Sequence, residues 1–95
     1  MSIGRISMME FESEEALEKS EIVYEEIRDV AFPTLELVIN IRTGPTSLMS
    51  VALYPDYDSA ASNLPDREKF QQQVESTLKD SFFHEGDVTY FYQKK

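Results

Sequence analysis

The 95-residue sequence contains no cysteine and no tryptophan, and it has one histidine, His84. A chain without cysteine has no disulfide framework and no thiolate ligands for a metal ion. A single histidine also excludes the usual zinc ligand sets, so we expect no metal site. Only three glycines and four prolines are present, and 41% of the residues are hydrophobic. This composition is typical of a folded domain, and the length predicts a single domain over residues 1–95.

Basic residues are scarce: nine Lys and Arg face 18 Asp and Glu, which gives a net charge of −9. Such an acidic chain repels phosphate backbones and anionic lipids, so nucleic acid and membrane surfaces are not expected partners. Long apolar runs are also missing, since a membrane-spanning helix needs about 20 apolar residues. The opening residues, Met1 to Arg5, do not resemble a signal peptide. We therefore expect a cytoplasmic location.

The first third of the chain predicts a strand followed by a helix. Residues 3–11 alternate in hydrophobicity, as in a half-buried strand. Ser13 is a typical helix N-cap residue, and acidic residues follow it in the first turn. Pro33 is expected to end the helix. The predicted apolar stripe consists of Ala16, Ser20, Val23, Ile27 and Val30.

The rest of the chain predicts a hairpin, a second helix and a last strand. Residues 34–43 and 46–54 alternate in hydrophobicity around Gly44 and Pro45, which favours an antiparallel hairpin. Asn63 and Pro65 indicate the start of a helix that ends near Asp80. Gly86 suggests a turn before a strand over residues 87–93. A short helical turn is expected over residues 59–62.

The resulting order is β-α-β-β-α-β, which predicts a ferredoxin-like α+β fold with a four-stranded antiparallel sheet and two helices on one face. The strand patterns leave apolar side chains on both faces of this sheet. We take the face of Leu37 and Ile39 to meet the helices. The other face would then expose apolar residues such as Leu48 and Ala52, and a second copy of the chain could cover them. The sequence therefore predicts a homodimer.

The segment His84-Glu85-Gly86-Asp87-Val88 and the opening strand followed by an acidic helix give the chain a family resemblance. It resembles the dimeric α+β barrel superfamily, in particular the antibiotic-biosynthesis-monooxygenase-like and stress-responsive barrel families. The resemblance implies that two ferredoxin-like protomers close a barrel, with a ligand pocket between the sheet and the helices of each protomer. The monooxygenases of this group use Asn, Trp and Arg in that pocket, without metal or flavin. This chain has Asn40 and Arg42 but no Trp.

The favoured function is binding of a small apolar or amphiphilic molecule between the sheet and the helices, with no cofactor. Apolar walls with a few polar groups are typical of such sites. The residues expected to line it are Tyr24, Ile27, Leu37, Ile39, Asn40, Met49, Val51, Phe70, Val74 and Tyr90. His84 is a further polar candidate.

Two alternatives remain open. The chain could be a cofactor-independent monooxygenase or isomerase acting on an apolar or aromatic substrate in the same pocket, or a purely structural dimer. In the enzyme, His84 is the candidate for proton transfer, since its ordinary pKa of about 6.5 suits that role, with Asn40 or Tyr90 holding an oxyanion. Arg5 and Arg42 could hold a carboxylate, although we favour their pairing with Glu36 or Glu10 across the sheet.

Overall fold

A computed structural model describes residues 2–94. It contains four strands, three α-helices and one turn of 3-10 helix. The strands are β1 (Ile3–Phe11), β2 (Leu37–Arg42), β3 (Ser47–Tyr54) and β4 (Leu78–Asp87). The helices are α1 (Glu14–Ala31), α2 (Tyr57–Ser62) and α3 (Leu64–Val74), and the 3-10 turn is Glu75–Thr77.

The strands form one antiparallel sheet in the order β2-β3-β1-β4. Helices α1 and α3 pack on the same face of this sheet, and residues from both lie over β1 and β3. The β-α-β-β-α-β order and the antiparallel sheet confirm the predicted ferredoxin-like α+β fold. The additional short helix α2 lies between β3 and α3.

Helix α1 begins as predicted, because the Ser13 hydroxyl accepts a hydrogen bond from the backbone N–H of Ala16. Its buried side chains are Leu17, Ser20 and Ala31. The predicted stripe is therefore wrong at its C-terminal end, where Val30 is 85% exposed. Since a helix turns about 100° per residue, the stripe that faces the sheet runs through Leu17, Ser20 and Tyr24 and places Val30 on the outer side.

The second half differs most from the sequence prediction. Helix α2 begins at Tyr57 with Asp56 as its N-cap, and α3 ends at Val74 rather than near Asp80. Strand β4 begins at Leu78, so the prediction of a strand over residues 87–93 is wrong, and Gly86 lies inside β4 rather than in a turn. The physical reason is pairing: β1 offers a full antiparallel edge, and residues 78–87 bond to it with one irregularity at Glu10 and Phe11.

The buried core consists of two separate clusters on the helix side of the sheet. One cluster contains Ile3, Ala52, Tyr54 and Ala60. The other contains Phe11, Leu17, Leu48 and Val74. Both clusters draw on β1 and β3, and the space between them contains the functional-site candidate described below.

The opposite side of the sheet, which we call the open face, is also apolar. It is formed by the side chains that alternate with the helix-facing ones: Ile6, Met8, Leu37, Ile39, Ile41, Met49, Val51, Leu53, Phe82 and His84. Ile39 and Ile41 are 50% and 48% exposed.

Among the helices of the described chain, none is long and apolar enough to cross a membrane.

Candidate functional site

A cavity of about 70 Å³ lies between the sheet and helices α1 and α3. Its floor is the helix-facing side of all four strands: Arg5, Ser7, Met9, Asn40, Leu48, Ser50, Ala52, Tyr54 and Ser81. Its walls come from α1, the residue that caps it and α3: Ser20, Glu21, Tyr24, Phe32, Arg67, Phe70 and Gln71. This volume accommodates a few water molecules or a small organic group, and because the cavity is partly open to solvent, a longer molecule can extend out of it.

The cavity exists because short polar residues interrupt the core at the centre of the sheet. Ser7 on β1 pairs with Ser50 on β3, and Ser50 pairs in turn with Asn40 on β2. On β3, Ser50 lies between Leu48 of one core cluster and Ala52 of the other. A serine fills less volume than the leucine or valine usual at such positions, so a gap remains under the helices.

Three aromatic rings form one wall of the cavity. The ring of Tyr24 stacks on Phe32 with the centroids 5.6 Å apart, and it meets Phe70 edge-on at 5.7 Å. Burial raises the pKa of the Tyr24 phenol to about 12. The hydroxyl therefore stays protonated at neutral pH and can donate a hydrogen bond.

Two arginines also line the cavity, Arg5 from β1 and Arg67 from α3. Arg5 is 3% exposed, and its Nη2 donates to the carbonyl oxygen of Ala60 at 2.8 Å. The guanidinium of Arg67 lies over the ring of Phe83 at 3.9 Å from the centroid. Burial and the neighbouring Arg5 charge lower the pKa of Arg67, as expected where two cations share a partly buried space.

The arginines and carboxylates in and around the cavity form pairs other than those predicted from the sequence. Arg42 binds Glu21 through two hydrogen bonds, and Arg5 lies 3.7 Å from the carboxylate of Glu85. The carboxylate of Glu10 instead accepts hydrogen bonds from the hydroxyls of Thr46 and Ser47. The favoured pairing of Arg5 and Arg42 with Glu36 or Glu10 is therefore wrong.

Three of the predicted lining residues, Tyr24, Asn40 and Phe70, do line the cavity. Ile27 and Val74 lie on α1 and α3 outside it, and Val74 is part of a core cluster. Tyr24 and Phe70 line the cavity together with the polar sheet residues Asn40, Ser50 and Ser7.

Four other predicted residues, Leu37, Ile39, Met49 and Val51, lie on the open face, so the prediction that they point toward the helices is wrong. Successive residues of a strand point to opposite faces, and choosing the wrong face exchanges every side chain. The more hydrophobic face was expected to meet the helices. The helices instead cover the mixed face of Leu48, Ser50 and Ala52.

His84 and Tyr90 are not part of the cavity. His84 lies in β4 opposite Ile6, on the open face, with its ring edge-on to Phe82 at 5.6 Å. Tyr90 lies beyond the end of β4 and is 84% exposed. Within one protomer, the placement of either residue in the pocket is wrong, and the misplaced last strand is the reason.

Sequence reasoning missed the other lining residues, among them Ser50, Arg67 and Gln71, together with the burial of Arg5. One signal was available: Arg5 and Ser7 stand on the strand face that also carries Ile3 and Phe11. Polar residues in the middle of a buried row often mark a site rather than a core. Across residues 2–94, no group of three or more His, Asp or Glu side chains is arranged to hold a metal ion.

Comparisons with known proteins identify structural neighbours only. No protein-family model matches the sequence, and no curated protein matches it. A protein of unknown function from Nitrosomonas europaea has 9% identity, with 99% of this chain and 95% of that chain covered, at a TM-score of 0.81. A dimeric ferredoxin-like protein from an uncultured marine organism has 12% identity, covering 99% and 93%, at a TM-score of 0.77.

SnoaB, a cofactor-independent oxygenase from Streptomyces nogalater, has 10% identity to this chain. The match covers 98% of each chain at a TM-score of 0.77. Identities this low establish a shared fold and carry no information on shared activity. The chain therefore has the ferredoxin-like fold of the dimeric ferredoxin-like proteins and of the antibiotic-biosynthesis-monooxygenase-like proteins.

Proposed function

We propose that this protein binds a small apolar or amphiphilic molecule in the cavity between the sheet and helices α1 and α3. The observation that carries the proposal is the cavity itself, which occupies space that side chains would ordinarily fill in the core of a small domain. Its lining combines aromatic rings with hydroxyl, amide and guanidinium groups. Apolar walls with few polar groups are the usual composition of a small-molecule site.

We further propose that the protein is a homodimer in which two open faces pack together. Isoleucines on β2, together with Ile6 and Phe82, expose a continuous apolar surface in the isolated protomer. Removing such a surface from water is favourable by about 25 cal/mol per Å². The partner of matching shape is a second copy in two-fold symmetry. The dimeric ferredoxin-like neighbour supports this assembly.

The binding proposal is tested by two substitutions at neighbouring positions of β3. In Ser50→Leu, the added side chain points into the cavity and fills it; in Val51→Leu, the matched change points to the open face. Octanoate and 1-octanol are suitable small amphiphiles, and calorimetry measures their binding. We expect Ser50→Leu to lose binding of both and Val51→Leu to retain it. Equal binding by both variants would contradict the proposal.

A second candidate is a cofactor-independent oxygenase or isomerase acting on an apolar or aromatic substrate in the same cavity. In a fold shared with SnoaB, the observation that favours it is the presence of the protonated Tyr24 phenol and the Asn40 amide among the residues that line the cavity. His84 does not serve this cavity within a protomer, so a proton-transfer role for it is not retained. Oxygen uptake with a single-ring phenol as substrate tests this candidate. Uptake that Tyr24→Phe reduces would favour the enzyme over the binding protein.

We retain a cytoplasmic location as part of the proposal. It rests on the absence of cysteine and on the acidic composition of the chain, which suits a dissolved protein with a small-molecule partner.

A further inference from the structure

We propose that the ligand of this cavity is an anion, an apolar molecule with a carboxylate or similar group that Arg5 and Arg67 bind. This inference rests on the proposed binding function and specifies the chemical class of the ligand.

Arg5 has donors that nothing in residues 2–94 uses. Its Nη2 bonds the Ala60 carbonyl oxygen, but its Nε and Nη1 are buried without a hydrogen-bond partner in that part of the chain. Buried guanidinium donors are normally satisfied, because leaving them unpaired forfeits their hydration without compensation. Arg5 lines the cavity, so its unpaired donors are candidates to bind an anionic acceptor atom of a ligand through charge-assisted hydrogen bonds.

The carboxylate nearest to Arg5 does not satisfy these donors. The Glu85 carboxylate lies 3.7 Å from Nε, which is beyond hydrogen-bond distance. The ring faces of Tyr54 and Phe83 lie 5.1 and 5.8 Å from the guanidinium carbon. These rings stabilise the cation, but they accept no in-plane hydrogen bond, so the donors stay free.

Arg67 adds a second positive charge close to Arg5, since both guanidiniums lie near the ring of Phe83. Its Nη1 donates to Gln71 at 3.3 Å and its Nη2 to Ser7 at 3.5 Å, and both acceptors are neutral. The acid among the lining residues, Glu21, is already paired with Arg42. Glu85 and Glu68 are the carboxylates whose charges act on Arg67, and the lining itself comprises two arginines and one acid in a chain of net charge −9.

The apolar part of the ligand follows from the aromatic lining. Tyr24, Phe32 and Phe70 offer ring surface in the same cavity as the two arginines. A molecule with an anionic head and a hydrocarbon or aromatic body would satisfy both kinds of lining group at once. An isolated inorganic anion would leave the aromatic wall uncovered.

The experiment compares three amphiphiles of equal chain length that differ in their head group: octanoate, 1-octanol and octylammonium. Calorimetry on the full-length protein measures each affinity. The net charge of the protein favours the ammonium compound, whereas the arginine pair favours the carboxylate. We expect octanoate to bind on the order of tenfold more tightly than 1-octanol, since charge-assisted bonds to arginine are the stronger ones.

Two variants test whether the preference for octanoate over 1-octanol arises in the cavity. Arg67→Met replaces the guanidinium that lies over the ring of Phe83 with an uncharged side chain, so the affinity for octanoate should fall toward that for 1-octanol. Arg28→Met removes an equal charge from the exposed surface of α1, where Arg28 pairs with Glu25, and should leave the preference unchanged. Circular dichroism confirms that each variant is folded.

The outcomes separate the anion inference from the binding proposal. Equal affinity for octanoate and 1-octanol in the wild-type protein would overturn the inference and leave the cavity as a site for neutral molecules. Equal loss of preference in Arg28→Met and Arg67→Met would also overturn it, because the effect would then be one of total charge. Binding of none of the three amphiphiles would overturn both.

Discussion

At the scale of single residues, small side chains facing large rings create the cavity. Ser7 and Ser50 lie in the middle of the sheet, and Tyr24 and Phe70 lie above them. An unfilled cavity costs about 24 cal/mol per Å³, so about 70 Å³ corresponds to roughly 1–2 kcal/mol of stability. Retaining such a defect in a 95-residue chain is consistent with a binding role for the space.

A first prediction follows for Ser50→Leu. The leucine side chain should occupy the cavity and raise the free energy of unfolding by roughly 1 kcal/mol, because it buries apolar surface and removes the void. Urea denaturation of the wild type and the variant at equal concentration measures the change. Destabilisation by 1 kcal/mol or more would mean that the space under Tyr24 is already full.

A second prediction concerns the pH dependence of stability through Tyr24. Burial raises the pKa of its phenol to about 12 in the folded protein, against an unfolded value near 10. The unfolded chain therefore releases this proton first, and stability should fall as the pH rises from about 10 to about 12. Allowing for partial solvent exposure, the loss attributable to Tyr24 is roughly 1–2 kcal/mol.

The measurement is urea denaturation at pH 9 to 11 for the wild type and for Tyr24→Phe. Part of the alkaline loss should remain in the variant, because burial also raises the pKa of Tyr54. If Tyr24→Phe and the wild type lost stability in parallel over this range, the phenol of Tyr24 would not be buried as described.

At the scale of elements, the N-cap of α1 gives a third prediction. Ser13 accepts a hydrogen bond from the N–H of Ala16, so Ser13→Ala should cost about 1 kcal/mol of unfolding free energy. Ser76, an exposed residue of the 3-10 turn, provides the control Ser76→Ala, which should change stability by less than about 0.5 kcal/mol. Equal effects of the two substitutions would argue that Ser13 does not cap the helix.

Strong local signals made β1, the start of α1 and the β2–β3 hairpin predictable from sequence. Alternation defines the strands, and a capping serine followed by acids defines the helix start. The segment that forms β4 carries Lys79, Asp80 and Glu85 and alternates poorly, whereas residues 88–93 alternate well and form no strand. Pairing to the free edge of β1 decides the position of β4, and that is a tertiary effect.

The candidate site was less predictable than the fold, because the two faces of the sheet are similar in hydrophobicity. Both faces of β2 and β3 carry apolar residues, so hydrophobicity alone could not choose the face that meets the helices. Tyr24 and Phe70 were identified because they lie on helices, where the period of 3.6 residues leaves one inward side. Arg67 was missed because a surface helix ordinarily keeps arginine in solvent.

At the scale of the whole molecule, the open face determines assembly, which gives a fourth prediction. Ile41→Glu places a charge on the open face, within the proposed interface, and should convert the dimer to a monomer, because an unpaired carboxylate is costly to bury. Val30→Glu makes a comparable change on α1, at a residue already 85% exposed, and should leave the dimer intact. Sedimentation velocity distinguishes the two states.

A wild-type protein that sediments as a monomer at micromolar concentration would refute the dimer directly. Dissociation by both glutamate substitutions would instead indicate that added negative charge, in a chain already at −9, weakens the assembly without regard to position. Repeating the measurement at high salt separates this effect, since screening reduces long-range repulsion.

The most direct measurement is native mass spectrometry of protein purified without added ligand, followed by denaturation and analysis of any released molecule. The account predicts a species of twice the 11.0 kDa chain mass that carries a small amphiphile with an acidic group. The same preparation of Ser50→Leu should give the dimer without that molecule. A monomer with nothing bound, or an identical cargo on Ser50→Leu, would contradict the account.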